Sequence, residues 1–208
     1  MSATRRRRSP ARAARQPAEA LRVAMLGDAI VDLTLCGCAR LPAWGADVPV
    51  DSASLLPGGS CANTARQLGA LGGKHLEVSL FATIGDDELG RWFRTALFAE
   101  GNLAHAHLVV CERTPTSLCA ILSGAADRAM ATCYSSVSQM RARIFAEMLS
   151  ATKWHALHLG GYCSCPGLHT PATLALCKQL RARGTTISLD PQYINSEGDG
   201  AVPLKFVR

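Results

Sequence analysis

Residues 57–90, PGGSCANTARQLGALGGKHLEVSLFATIGDDELG, constrain the fold more than any other stretch of the 208-residue chain. Gly58 and Gly59 let a backbone approach a ligand closely, because no Cβ stands in the way. Ser60 follows as a candidate helix cap. Ala65, Leu68 and Leu71/Gly72 recur at helical spacing, and Gly72-Gly73 ends the helix. Asn63 falls in the first turn, so its amide is expected to reach the space beside the Gly-Gly backbone. Free N–H groups at that helix start predict a polar or anionic ligand. Residues 77–84 then read as a strand, and Asp86 or Asp87 opens a second helix.

The chain before and after this stretch alternates in a consistent way. Residues 22–26 form a short apolar run ending at Gly27, the pattern of a buried strand. Asp28 and Asp32 place two carboxylates at its end. Carboxylates accept paired hydroxyl hydrogen bonds, which suits a polyol; the competing reading is a capping role. A dinucleotide site would need Gly-x-Gly-x-x-Gly opening a helix, and Gly27 stands alone. Four short strand-like runs lie outside this alternation, at 30–35, 48–56, 116–122 and 129–134. The last two are joined by a turn at 123–128, which contains Gly124-Ala125-Ala126-Asp127, and together the four predict a small separate sheet.

Helices are expected over 87–100, with Leu89, Trp92/Phe93 and Ala96/Leu97 as its core stripe, and over 139–149, with Met140, Ile144 and Met148 on one face. Arg141 and Arg143 read as a solvated face. A strand at 108–111 separates the two helices. Residues 155–161 form a further strand, whose His155 and His158 point to opposite faces and make no metal pair. Thr170-Pro171 caps a helix that runs to Arg183 and stops at Gly184. A strand at 185–189 leads to Asp190, placed where open α/β sheets hold ligands. Strand, helix and strand in alternation predict a mostly parallel sheet flanked by helices.

Charge narrows the class. The net charge is +6, yet six of the 22 basic residues are arginines within the first 18, leaving 16 against 16 acidic ones beyond. A basic excess confined to a tail argues against nucleic-acid binding. Residues 1–19 read as a disordered basic tail; the alternative is a mitochondrial or plastid transit peptide on an otherwise cytoplasmic protein. Residues 20–208 form the domain. No apolar run reaches the roughly 18 residues of a membrane span. Nine cysteines, an odd number without a secretory signal, point to free thiols rather than disulfides or zinc.

Residues 57–90 resemble the first signature of the phosphofructokinase-B (PfkB)/ribokinase family of sugar and nucleoside kinases. The matching residues are Gly58, Gly59, Asn63, Ala65, Gly85, Asp86, Asp87 and Gly90. The resemblance implies a ribokinase-like α/β fold whose small sheet is a lid over the sugar. It implies that Asp28 and Asp32, one and five residues after Gly27, contact substrate hydroxyls. Gly58, Gly59 and Asn63 complete the expected substrate site, and Asp190 is expected at its margin or on the nucleotide side. A lid excludes water that would otherwise accept the phosphoryl group. ATP with Mg2+ is the implied cofactor, a sugar or nucleoside the implied partner, and the lid a surface for a homodimer.

The family's second signature, Asp-Thr-x-Gly-Ala-Gly-Asp, supplies the anion hole and the general base. It does not occur in this chain. Gly198-Asp199-Gly200 is glycine-rich but lacks the strand before it and the helix after it. The expectation is therefore the substrate-binding half of a kinase, with the C-terminal part missing, no catalytic residue present, no metal site and no phosphoryl transfer by this chain alone. The alternative is a non-catalytic sugar-binding or regulatory protein.

Overall fold

A computed structural model describes residues 19–192. The basic tail and the Gly198-Asp199-Gly200 segment lie outside the described residues. The first strand, β1 (Leu21–Gly27), is the centre of a five-stranded sheet with β4 (Leu76–Gly85), β5 (His105–Cys111), β8 (Ala156–Gly160) and β9 (Thr186–Leu189). Their order is β5-β4-β1-β8-β9, and every neighbouring pair is parallel. Parallel strands need crossovers, and α1 (Ser60–Gly72), α2 (Glu88–Ala99), α3 (Ala142–Ala151) and α4 (Pro171–Ala182) supply them.

The period-two alternation of the strands divides the core into two layers. Ala24, Leu26, Phe81, Leu157 and Leu159 face α3 and α4, where Phe145, Leu149, Leu176 and Leu180 complete one cluster. Met25, Val78, Leu80 and Ala82 face α1 and α2, where Ala62, Ala65, Phe93 and Leu97 complete the other. No helix among the described residues is long and apolar enough to cross a membrane.

A second sheet holds β2 (Ile30–Cys36), β3 (Ser52–Gly58), β6 (Leu118–Ser123) and β7 (Arg128–Cys133) in the order β3-β2-β6-β7. This is the expected small sheet. β2 pairs antiparallel with β3 and parallel with β6, and β6 pairs antiparallel with β7. Gly124-Ala125-Ala126-Asp127 is the turn of the β6–β7 hairpin, closed by the Gly124 N–H donating to the Asp127 carbonyl at 2.9 Å.

Three sequence expectations fail on the helices. Leu71 is 85 % exposed, and α1 buries Cys61, Ala62 and Gly69 beside the expected Ala65. Small residues line that face because α1 packs close to the strand ends: the carbonyl of Asn102 leaves no room for a Cβ at Gly69. In α3 the buried stripe is Ala142, Phe145 and Leu149, while Ile144 and Met148 are each 38 % exposed. A short 3-10 turn, Val137–Gln139, buries Met140 ahead of the helix and resets its phase by about one residue. Arg141 is half-buried rather than solvated, and its guanidinium donates to the carbonyls of Ser138 and Met140.

Candidate functional site

The seam between the two sheets is where the sequence-predicted residues converge. The chain leaves β1 through Asp28 into β2, returns along β3, and enters α1 through Gly58-Gly59. Gly59 adopts φ +94°, which glycine reaches without strain, and its Cα lies so close to the Asp28 carbonyl that a Cβ would sit 2.8 Å from the oxygen. The tight approach brings the start of α1 against the end of β1.

Asp28 occupies that start. It is fully buried, and its carboxylate accepts from the N–H of Cys61 at 2.7 Å and of Ser60 at 3.1 Å. The Ala62 N–H donates to the Asp28 carbonyl at 3.2 Å and the Asn63 N–H to the Gly59 carbonyl at 2.9 Å. The helix start therefore holds no free N–H groups for an external anion, contrary to the sequence expectation. Asp28 acts as a remote cap. Ser60 does not cap the helix; its hydroxyl donates to the carboxylate of Asp190. Burial pushes the Asp28 carboxyl above the ordinary carboxylate range, against the pull of the two N–H groups, and Asp190 adds repulsion.

Asp32 behaves differently. It lies on β2, half-buried, opposite Leu56 on β3 and Cys119 on β6. Its carboxylate lies against Gly58, where any Cβ would overlap it. Among the described residues no N–H or O–H donates to it, so it keeps its acceptor capacity for a ligand. Burial raises its pKa, nearby Asp28 raises it further, and Arg66 pulls it down. Asn63 is exposed on the first turn of α1, its amide oxygen accepting from Arg66 at 2.8 Å. Asp32, Gly58, Gly59 and Asn63 thus share one seam, while Asp28 lies beneath them and Asp190 beside the α1 start. The Asp190 carboxyl is held below its ordinary range, first by the Ser60 hydroxyl.

Three partners escaped the sequence reading. Arg66 donates to the Pro57 carbonyl at 2.6 Å and grips Glu100 through both carboxylate oxygens. Its position three residues after Asn63 on a helix was the available signal. Glu100 sits just beyond α2, 34 residues from Arg66, where local pattern gives no sign of the contact. Thr116, at the root of β6, takes both oxygens of Asp87: its N–H donates to one at 2.8 Å and its hydroxyl to the other at 2.5 Å. Asp87 also caps α2 by accepting from the Gly90 N–H at 2.8 Å. The Gly-Asp-Asp turn therefore ties the main sheet to the small one.

The nine cysteines are unpaired. Among the described residues no group of three or more His, Cys, Asp or Glu side chains is arranged to hold a metal ion.

Residues 20–205 match the family model described as pfkB family carbohydrate kinase. No curated protein sequence matches the chain. Among solved structures, ribokinase from Giardia lamblia is similar at TM-score 0.70 and 14 % identity, covering 86 % of this chain and 54 % of that one. Ribokinase from Arabidopsis thaliana, solved with ribose and ATP, reaches TM-score 0.65 and 17 % identity over 84 % of this chain and 55 % of that one. Adenosine kinase from Sinorhizobium meliloti reaches 0.59 and 20 % over 83 % and 56 %. The chain thus spans about half the length of these structures.

Proposed function

Because the chain belongs to the pfkB family of carbohydrate kinases, we propose that it carries the substrate-binding half of an enzyme that moves a phosphoryl group from ATP to a hydroxyl of a sugar or nucleoside. The observation that carries this reading is the Asp32 carboxylate, half-buried against Gly58 and without a protein donor among the described residues. Its oxygens stay open to solvent, so the hydroxyls of a ligand can take the place of water on them. Two hydroxyls of a polyol match a carboxylate's two oxygens. Gly58 lets the Asp32 carboxylate lie against the backbone, the Asn63 amide adds a donor, and the small sheet shields the hydroxyls from water.

The start of α1 is filled by Asp28, so its N–H groups are not free to take a nucleotide phosphate. We therefore assign the general base and the nucleotide contacts to residues other than these, and no step of transfer is placed here. The purified chain is expected to bind one of D-ribose, D-fructose or adenosine in titration calorimetry without nucleotide, and to show no substrate-dependent ATP turnover in a coupled assay. Binding of none of the three sinks the substrate site; turnover sinks the division of labour. A second reading, a non-catalytic sugar-binding or regulatory protein, draws on the same assembly of sugar-facing residues without nucleotide-facing ones. ATP turnover by the endogenous protein favours the kinase; binding without turnover favours the second reading.

The small sheet also fits a homodimer. Strand pairing places Leu33, Leu35, Ala53, Leu55, Ala120, Leu122, Ala129 and Ala131 on the face opposite Asp32. None of these eight belongs to either core cluster. A sheet with an uncovered apolar face gains by covering it. Leu55, 39 % exposed, tolerates a charge in the isolated chain. Leu55→Lys is expected to convert a dimer to a monomer in sedimentation velocity, and an unchanged sedimentation coefficient would count against the surface.

A further inference from the structure

Arg66 is 17 % exposed and joins the start of its own helix to two other segments of chain, the end of β3 and the residue after α2. Its Nη1 donates to the Pro57 carbonyl at 2.6 Å and to the Asn63 side-chain oxygen at 2.8 Å. Its Nε and Nη2 meet the two oxygens of Glu100, the first at 2.7 Å. Such a two-pronged pair fixes the plane of a guanidinium, which lysine cannot reproduce. The prong left over is aimed by that plane. It holds the carbonyl that immediately precedes Gly58-Gly59, and it holds the amide of Asn63 by its oxygen, which turns the amide NH2 outward. One side chain therefore sets both the backbone and the side-chain donors of the candidate site.

We propose that Arg66, aimed by Glu100, is a positioning residue for the substrate site: it orients the Gly58-Gly59 backbone and the Asn63 amide, and brings its cation to the carbonyl just before Gly58, against which Asp32 lies. This inference rests on the substrate-binding reading above. A simpler role would be a strut that only fastens α1 to the end of α2. The two differ in what the folded chain binds. The charged or titratable groups around Asp32 are Asp28 at the end of β1, Arg66 on α1 with its counter-ion Glu100, and the Cys119 thiol across on β6. Arg66 is the one group among them that lowers the Asp32 pKa. Removing its charge moves the acid loss of binding to higher pH, because Asp32 then protonates earlier on acidification. A strut alone would cost stability and leave the affinity of the folded chain at neutral pH in place.

The test is titration of the whole chain with D-ribose, D-fructose and adenosine from acid to neutral pH, for wild type, Arg66→Met, Arg66→Lys and Glu100→Gln. Thermal unfolding of each variant reports whether the fold survives. At neutral pH both Arg66 variants are expected to bind about 10-fold or more weakly, the size of losing hydrogen bonds to a charged group. Glu100→Gln is expected to lose less. Arg66→Met is expected to shift the acid midpoint of binding upward, while Arg66→Lys, which keeps the charge, leaves it near wild type. Wild-type affinity in folded Arg66→Met and Arg66→Lys overturns the inference and leaves the substrate site standing. An unshifted midpoint in Arg66→Met overturns it as well. No binding by folded wild type overturns the substrate reading and this inference with it.

Discussion

Replacing Asp28 by alanine is expected to destabilise the chain by about 4 kcal/mol, from roughly 1–3 for each N–H left without a partner. The carboxylate is fully buried and accepts from two N–H groups at the start of α1. The Cys61 N–H is itself buried, so water cannot replace the lost acceptor. Gly59 and Gly161 close over the aspartate from two sides, so truncation also leaves a void. A urea unfolding midpoint is the measurement. Asp28→Asn is expected to fall in between: its amide oxygen accepts one N–H, while its NH2 faces the other donor. A wild-type midpoint for Asp28→Ala would mean that the cap is dispensable and that α1 is held by its packed face alone.

The second large effect is expected at Asp32, in the opposite sense. Asp32→Asn is expected to weaken polyol binding about 100-fold, as when a site built to pair hydroxyls loses its acceptor. The same change is expected to stabilise the free chain slightly at neutral pH. Burial and Asp28 raise the folded-state pKa of Asp32 above its unfolded value. The folded state then holds the proton more tightly, so this residue's contribution is most favourable in acid and is lost as pH rises through the folded pKa. The stability gap between variant and wild type should therefore open from the ordinary carboxylate range upward. Calorimetry for affinity and unfolding midpoints across pH separate the two effects. Unchanged affinity would remove Asp32 from the site; a destabilised variant would mean that its carboxylate has a structural partner.

The contrast between these two aspartates shows what could be read from the sequence. Both follow Gly27 at the end of a recognisable strand, and the sequence offers each either a polyol contact or a capping role. Their fates divide on packing: the approach of Gly59 and Gly161 buries Asp28 under α1, and strand pairing holds Asp32 beside Gly58. The strands, the helices and both sheets were legible because period two, period 3.6 and glycine stops are local signals. The half-buried Arg66 and its Glu100 were not, because 34 residues separate them and the contact exists only once α1 and α2 lie side by side. The α3 stripe failed for a smaller reason: periodicity fixes spacing, while the turn at Val137–Gln139 sets the phase.

The order β3-β2-β6-β7 has a consequence for how such a sheet can arise or be lost. It is assembled from two separate excursions of the chain out of the main sheet, β2 with β3 and β6 with β7, zipped along a single parallel seam between β2 and β6. Either excursion alone is a two-stranded ribbon, which is marginal in water. The halves are therefore mutually obligate, although about 60 residues of other structure intervene between them. A lineage that deletes one loop forfeits the other, and grafting this cover onto a different scaffold means transplanting both insertions in register.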